Sequence, residues 1–470
     1  MLQILLLRRA AAMVSAALSI LMLTGCVGRV PSLDAPSMIW RAAGQSGGIC
    51  FHTEGGPVDV PADSPSVLTM ADAARRTLAN DPEIQAALAR VREAEADAEQ
   101  ARLLPNPILS INVQPSLTPE SAIITAALSE DLVGILQRPR RASAADRRLR
   151  AAAGGALTTA LNAVSEVQER YADVQAVEAQ LAVLDVRRKL LERLFDLAGA
   201  RFKAGEGSRL DLTTVEAQRE NLQSDIAEKR IELNESRLDL ARLIGRPGGR
   251  TDWRLDAWTP PPQITTAQAP WLSSALRNRP EVQSSLWELA ALGDEVALAR
   301  FAPWEGTDVG VEAERDVFWS VGPSISTPLP LFDMGQAKRQ KALAAVVEAR
   351  HKLTQTQRQV VEEVRKSYDT FTATQAVLVE ARSKLLPLQE SRQRQSEAAY
   401  RAGESDLITL LVAEEELQDT RSKLVEFEQK TTAAFIRLQR AVGGPGVAAG
   451  LSPTTAPAMQ IEPANSKASS

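Results

Sequence analysis

Asn80-Asp81-Pro82-Glu83-Ile84-Gln85 returns 198 residues later as Asn278-Arg279-Pro280-Glu281-Val282-Gln283. Working outward at the same spacing, Arg102 and Pro105 recur as Arg300 and Pro303, and Arg242 and Gly245 as Arg440 and Gly443. Phe202-Lys203-Ala204-Gly205-Glu206 recurs as Tyr400-Arg401-Ala402-Gly403-Glu404. Shared composition does not hold one register over so long a span, and the period far exceeds the ~20–50 residues of a solenoid. The chain is two copies of one large unit, so function is to be sought in what two copies build together.

Each copy has the same plan. A helix (about 68–103 and 270–301) leads to an irregular Pro-bearing stretch, then a very long helix (about 139–201 and 336–399). A Gly turn and a returning helix (about 209–244 and 406–442) follow. Ala, Leu, Glu, Gln and Arg dominate these segments, as long helices require. Val164, Val167, Tyr171, Val174, Val177, Leu181, Leu184, Leu191 and Leu194 step by threes and fours. Val346, Leu353, Val360, Val364, Phe371, Leu378, Leu385 and Leu388 keep an unbroken heptad frame. That is coiled-coil periodicity. A rod of ~60 residues is about 90 Å long and needs neighbouring helices along its whole length.

The stretches between helices have period two instead. Leu109, Ile111 and Val113, then Ile124, Ala126 and Leu128, alternate with small or polar residues in the first copy. Val309, Val311 and Ala313, then Trp319, Val321 and Ile325, do so in the second. Segments of about nine to eleven residues suit tilted strands crossing a bilayer. Each copy supplies one hairpin and the chain four strands, whereas even a small barrel needs about eight. An open edge in lipid leaves backbone groups unsatisfied, so a membrane barrel must be shared among copies.

The ends and the composition narrow the class. Arg8 and Arg9 precede an apolar stretch, Ala10 to Leu23, as in an export signal. Leu23-Thr24-Gly25-Cys26 resembles the lipobox of bacterial lipoproteins, which implies cleavage before Cys26 and lipidation there. Loss of residues 1–25 removes two positive charges and moves the net charge from −5 to −7, which argues against a nucleic-acid partner. Only Cys50 remains as a second cysteine, so no disulfide framework exists. The two histidines, His52 and His351, are far apart, and no nucleophile motif or ligand spacing appears. No catalytic residue, cofactor or metal is expected, and the chain does not read as an enzyme.

The duplicated plan, together with Asn80-Asp81-Pro82-Glu83, Leu104-Pro105-Asn106-Pro107, Pro328-Leu329-Pro330-Leu331-Phe332-Asp333 and two Ala-Gly-Glu turns, resembles the TolC-like outer-membrane factor family. The wording is most similar to its heavy-metal-efflux branch. The resemblance implies a mostly α fold with a small membrane β part, assembled as a homotrimer. Twelve strands would form one barrel, continued by a twelve-helix tunnel. It implies the exit duct of a tripartite efflux system, anchored in outer-membrane lipid and served by a periplasmic adaptor and an inner-membrane pump, RND type favoured. A type I protein-secretion duct is the alternative within this class. A periplasmic coiled-coil adaptor or scaffold lipoprotein is the alternative outside it, opposed by the lack of a substantial β-rich portion.

The expected organisation is therefore a signal peptide (1–25), an extended arm (26–66), repeat 1 (67–246, hairpin about 106–133), a linker (247–269), repeat 2 (270–444, hairpin about 304–332) and a disordered tail (445–470). The resemblance places adaptor docking at Phe202, Gly205, Ser208, Leu210, Tyr400, Gly403 and Leu407. Gly205 and Gly403 are equally read as helix C-caps. Asp211 has two readings, an acidic ring at the tunnel aperture or a helix-N-terminal carboxylate stabilising the dipole. Pairing Val412 with Val215 makes the second turn one residue shorter, so that Ile408 answers Asp211. The second copy then offers Asp406 or Glu404 as its acidic counterpart. Trp304, Phe318, Trp319 and Phe332 flank the second hairpin as a candidate aromatic girdle.

Overall fold

A computed structural model describes residues 67–115, 122–205, 207–258, 267–315 and 318–451, with residues 30, 33–45, 47, 49, 51–55 and 264 besides. Cys26, Cys50, Glu206 and the expected signal peptide lie outside the described residues. In order the elements are α1 (Ala35–Ala42), β1 (Val67–Leu68), α2 (Met70–Asn80), α3 (Pro82–Arg102), β2 (Ile108–Pro115), β3 (Ala122–Asp131), α4 (Leu132–Lys203) and α5 (Arg209–Leu243). Then come β4 (Arg254–Leu255), α6 (Gln268–Asn278), α7 (Pro280–Leu298), β5 (Asp308–Arg315), β6 (Trp319–Ser326), α8 (Gln336–Glu380), α9 (Leu386–Ala402), α10 (Leu407–Ala441) and α11 (Pro445–Ala448).

The chain forms two compact units. One contains residues 87–156 and 281–356, and so all four long strands. The other contains residues 36–86, 157–280 and 357–470. In the second unit a buried cluster joins Leu190, Leu191 and Leu194 of α4, Val215 and Leu222 of α5, Tyr400 of α9, and Leu407 and Leu410 of α10. Each such side chain contributes roughly 1.5–3 kcal/mol of burial. Higher on α4, Tyr171 is fully buried, and its hydroxyl donates to the Leu68 carbonyl at 2.8 Å and meets the Asp256 carboxylate. That phenol ties the parallel pair β1–β4 to the long helix.

Several boundaries differ from expectation, each for a local reason. The first helix of each copy is two helices, broken at Asp81 (ψ 120°) and Arg279 (ψ 126°). The residue before proline is pushed out of the α region, and Pro82 and Pro280 open the next helix. The Asp81 carboxylate accepts from the Glu83 N–H at 2.7 Å, capping the restart. The first long helix starts at Leu132 rather than 139, because Asp131 accepts from the Gly134 N–H at 2.8 Å and Pro139 is absorbed inside.

The second long helix is not one unbroken heptad frame. A π-helical turn, Ala381–Leu385, separates α8 from α9. The extra residue of a π turn shifts the frame by one. Leu385 and Leu388 consequently face solvent, while Leu386 packs against the cluster of Leu378, Ala381 and Leu424.

The arm is not extended throughout, and the tail does not lose structure at 445. Ile39 and Trp40 of α1 and the following Ala43 are buried, and α11 follows Gly444 at φ 111°. A Cβ at Gly444 would collide with the Ala42 carbonyl and Leu161, and one at Gly446 with the Arg41 carbonyl. The arm helix and the start of the tail therefore order one another by close packing.

Candidate functional site: the strand sheet and the helical turns

The four long strands form one antiparallel sheet in the order β2-β3-β5-β6. Residues directly opposite in an antiparallel pair point to the same side. The register pairs Leu109 with Leu128, Ile111 with Ala126, and Val113 with Ile124. It continues Leu128 to Val311 and Ala126 to Ala313. Val309 then meets Ile325, and Ala313 meets Val321, with Arg315 opposite Trp319. All twelve period-two residues predicted from the sequence thus share one face. Many are openly exposed, among them Ile111 at 66 % and Ile325 at 70 %.

The opposite face carries Ser110, Asn112, Gln114, Thr125 and Ser129, and four carboxylates, Asp131, Asp308, Glu312 and Glu314. Among the described strand residues no Lys or Arg lies on that face. Gly310 lets β5 approach β3, since a Cβ there would strike the Leu128 carbonyl. The sheet is open: among the described residues β2 and β6 each pair on one side only. Trp304, Phe318, Trp319 and Phe332 are all exposed.

The two helical turns superpose in sequence with no missing residue. Gly205 and Gly403 both have φ 78°, the left-handed conformation that ends a helix. The next helices are capped by Ser208 and Asp406, again 198 apart, and both run 35 residues. Ile408 therefore answers Leu210, and Thr409 answers Asp211. The shorter-turn alignment is corrected: it paired similar side chains, whereas the caps fix the backbone register.

Asp211 sits in a capping box. Its backbone N–H donates to the Ser208 hydroxyl at 3.0 Å, and its carboxylate accepts from the Ser208 N–H at 3.1 Å. Asp406 accepts from the Thr409 N–H at 2.9 Å, and the Thr409 hydroxyl and N–H hold its carboxyl below the usual range. Both candidate aperture carboxylates are thus helix caps in this structure.

Of the seven expected docking residues, Phe202, Gly205, Ser208, Leu210 and Gly403 are exposed. Tyr400 and Leu407 are corrected to core positions, being 4 % and 3 % exposed. Arg201 lies over the Tyr400 ring at 5.0 Å and donates to the Tyr400 carbonyl at 3.3 Å, which closes that side chain off. Ile408, 63 % exposed and matched to Leu210 at 72 %, is not among the seven. The signal for it was the cap spacing, Ser208 to Leu210 and Asp406 to Ile408.

Beside the turns' helices, a groove of about 840 Å³ runs between α4, α8 and α10. Within it Arg437 pairs with Glu169 at 2.7 Å and Arg170 with Asp173 at 3.2 Å, and the Gln429 amide donates to the Asp173 carboxylate at 2.7 Å. Among the described residues no group of His, Cys, Asp and Glu gathers to hold a metal, and no helix is long and apolar enough to cross a membrane.

This chain belongs to the outer membrane efflux protein family, whose model matches residues 73–246 and 271–444. It is 25 % identical over 418 residues to the pyoverdine export outer membrane protein OpmQ of Pseudomonas aeruginosa, covering 79 % of this chain and 84 % of OpmQ. It is 21 % identical over 391 residues to the cobalt-zinc-cadmium resistance protein CzcC of Cupriavidus metallidurans, covering 82 % and 92 %. Among solved structures, the outer-membrane channel OprN is similar with a TM-score of 0.68 at 19 % identity, over 90 % of this chain and 99 % of that one.

Proposed function

We propose that this chain is the exit duct of a tripartite efflux system, a homotrimer that passively conducts small molecules or metal ions out through the outer membrane. The observation that carries this reading is the open four-stranded sheet, with one face apolar except for Glu130 and Arg315 near the strand ends and the other polar and acidic. Three copies would supply twelve strands, close every edge, set the apolar face in lipid and turn the carboxylates into the pore. The driving energy comes from an inner-membrane pump, RND type favoured, joined by a periplasmic adaptor at the two helical turns. Leu210 and Ile408, exposed at matched positions five residues after the left-handed glycines Gly205 and Gly403, are the apolar anchors offered there.

The names of the relatives, one a pyoverdine exporter and one a metal-resistance protein, favour small cargo over protein. Lipidation at Cys26 would add an anchor to the outer membrane, and Cys26→Ser should abolish incorporation of labelled palmitate. The reading is tested by deleting the gene and measuring cellular retention of a panel of divalent metals, siderophores and cationic dyes. Retention of at least one class should rise and return to normal with the intact chain. Unchanged retention throughout, in cells with no second duct of this family, would contradict it.

A further inference from the structure

We propose that residues 329–341, from the end of β6 into the second turn of α8, form a binding site for an anionic phospholipid. The apolar stretch takes its acyl chains and the basic start of α8 its headgroup. This rests on the reading above that the sheet's apolar face lies in lipid, and goes beyond it in naming a lipid class and the place that holds it.

All four helix connections leave the sheet at one end, since Ile108 pairs with Ser129 and Asp308 pairs with both Asp131 and Ser326. At that end the two repeats differ. In the first, α4 begins at Leu132, directly after β3. In the second, β6 ends at Ser326 and α8 begins only at Gln336. The stretch between is apolar and bare: Leu329, Leu331, Phe332 and Met334 are all exposed, Phe332 at 95 %. The apolar face of the sheet runs into it. Thr307 and Thr327 come next after the Asp308–Ser326 pair, on the side of Val309 and Ile325, with their hydroxyls 2.9 Å apart. Pro328 and Pro330 then keep Thr327 and Leu329 in extended backbone.

Cations follow at once. Lys338, Arg339 and Lys341 are all exposed on the first two turns of α8. Asp333 is the one acid between Thr327 and Lys341, and its carboxylate is taken up by the Gly335 N–H at 2.8 Å. Lys338 reaches Glu305 at 2.6 Å, while among the described residues Arg339 and Lys341 have no acidic partner. The start of α4 is basic too, but its arginines are engaged within the chain. Arg140 and Arg147 hold the buried Asp294, Arg148 pairs with Glu295, and Arg138 donates to the Arg102 carbonyl. The second repeat alone thus sets unpaired cations beside a bare apolar stretch. A bare apolar stretch of this kind marks an interaction surface. Apolar side chains followed within two helical turns by cations match the order of a membrane boundary, acyl chains and then phosphate. Lys and Arg stems reach that level by lying along apolar surface, and an anionic headgroup supplies the charge that the chain itself withholds.

The test uses the full chain reconstituted in vesicles. In brominated phosphatidylcholine, the fluorescence added by Ile325→Trp and by Phe332→Trp should in both cases be quenched. Quenching at 325 without quenching at 332 overturns the proposal alone, and quenching at neither overturns the reading of the sheet beneath it. A photoreactive phosphatidylglycerol should label the peptide spanning 329–341 more than a photoreactive phosphatidylcholine does. Lys338→Gln, Arg339→Gln and Lys341→Gln together should abolish that preference, whereas Lys338→Arg, Arg339→Lys and Lys341→Arg together should keep it. A preference that survives neutralisation, or that excess inorganic phosphate erases at matched ionic strength, would overturn the lipid headgroup as the ligand.

Discussion

At the level of single residues, exposure separates contacts for a partner from contacts for the fold. Leu210 and Ile408 bury little within the chain, so Leu210→Asp and Ile408→Asp should change stability by no more than about 0.5 kcal/mol. Together they should weaken adaptor binding about tenfold or more, worth about 1.4 kcal/mol, in a titration of the duct with its adaptor. Unaltered affinity would remove both from the docking surface. Glu414 is the converse case. It is 6 % exposed on α10, and burial pushes its carboxyl above the ordinary value against the opposing Gln393 side chain and Arg421, with Glu397 adding to the rise and Arg187 opposing it. A raised pKa means that folding favours the protonated form. Its contribution is complete below the ordinary glutamate value of about 4.3 and is lost as pH rises through the folded value. Glu414→Gln should therefore melt higher than wild type at neutral pH, and the gap should close on acidification. A gap that widened in acid would show the sign to be wrong. Tyr400 and Leu407 were misassigned from sequence because an aromatic and a leucine beside a turn fit a docking groove and a core equally well. Only the Arg201 contact and the helix packing decide between them.

At the level of elements, the period-two pattern puts the apolar residues of each strand on one side, because side-chain alternation is a property of the strand alone; the pairing register is what gathers all twelve on one face of the sheet. The helices were legible in type and extent but not at their breaks. The heptad count runs through Leu385 and Leu388 without a flaw, and nothing in it announces the π turn at Ala381–Leu385. The copies differ here, since residues 183–189 of α4 continue as an ordinary helix. Widened hydrogen bonding followed by Pro387 should make amides 381–386 exchange faster than amides 183–188 in hydrogen–deuterium exchange on the assembled protein. Equal protection would mean that the π turn carries no local softness. The turn register was likewise hidden, because similar residues in neighbouring places invited a one-residue slip that capping geometry forbids.

At the level of the whole molecule, a chain whose sheet has two unpaired edges is unfinished alone. Glu312 and Glu314 share the polar face with Asp131 and Asp308, so a closed barrel would hold these carboxylates threefold around its interior. Bilayer currents through the protein should reverse at potentials favouring cations, and Glu312→Gln with Glu314→Gln should reduce that preference. An unchanged reversal potential would place the selective charge elsewhere. The duplication visible in Asn80-Asp81-Pro82 and Asn278-Arg279-Pro280 pointed to a ring of subunits because two hairpins cannot close; the number of copies is not written in any residue. The most direct measurement is the mass of the protein extracted from outer membranes in mild detergent. Three chains per particle are expected, and a particle of one or two chains, with its sheet edges still open, would contradict a barrel shared among three copies.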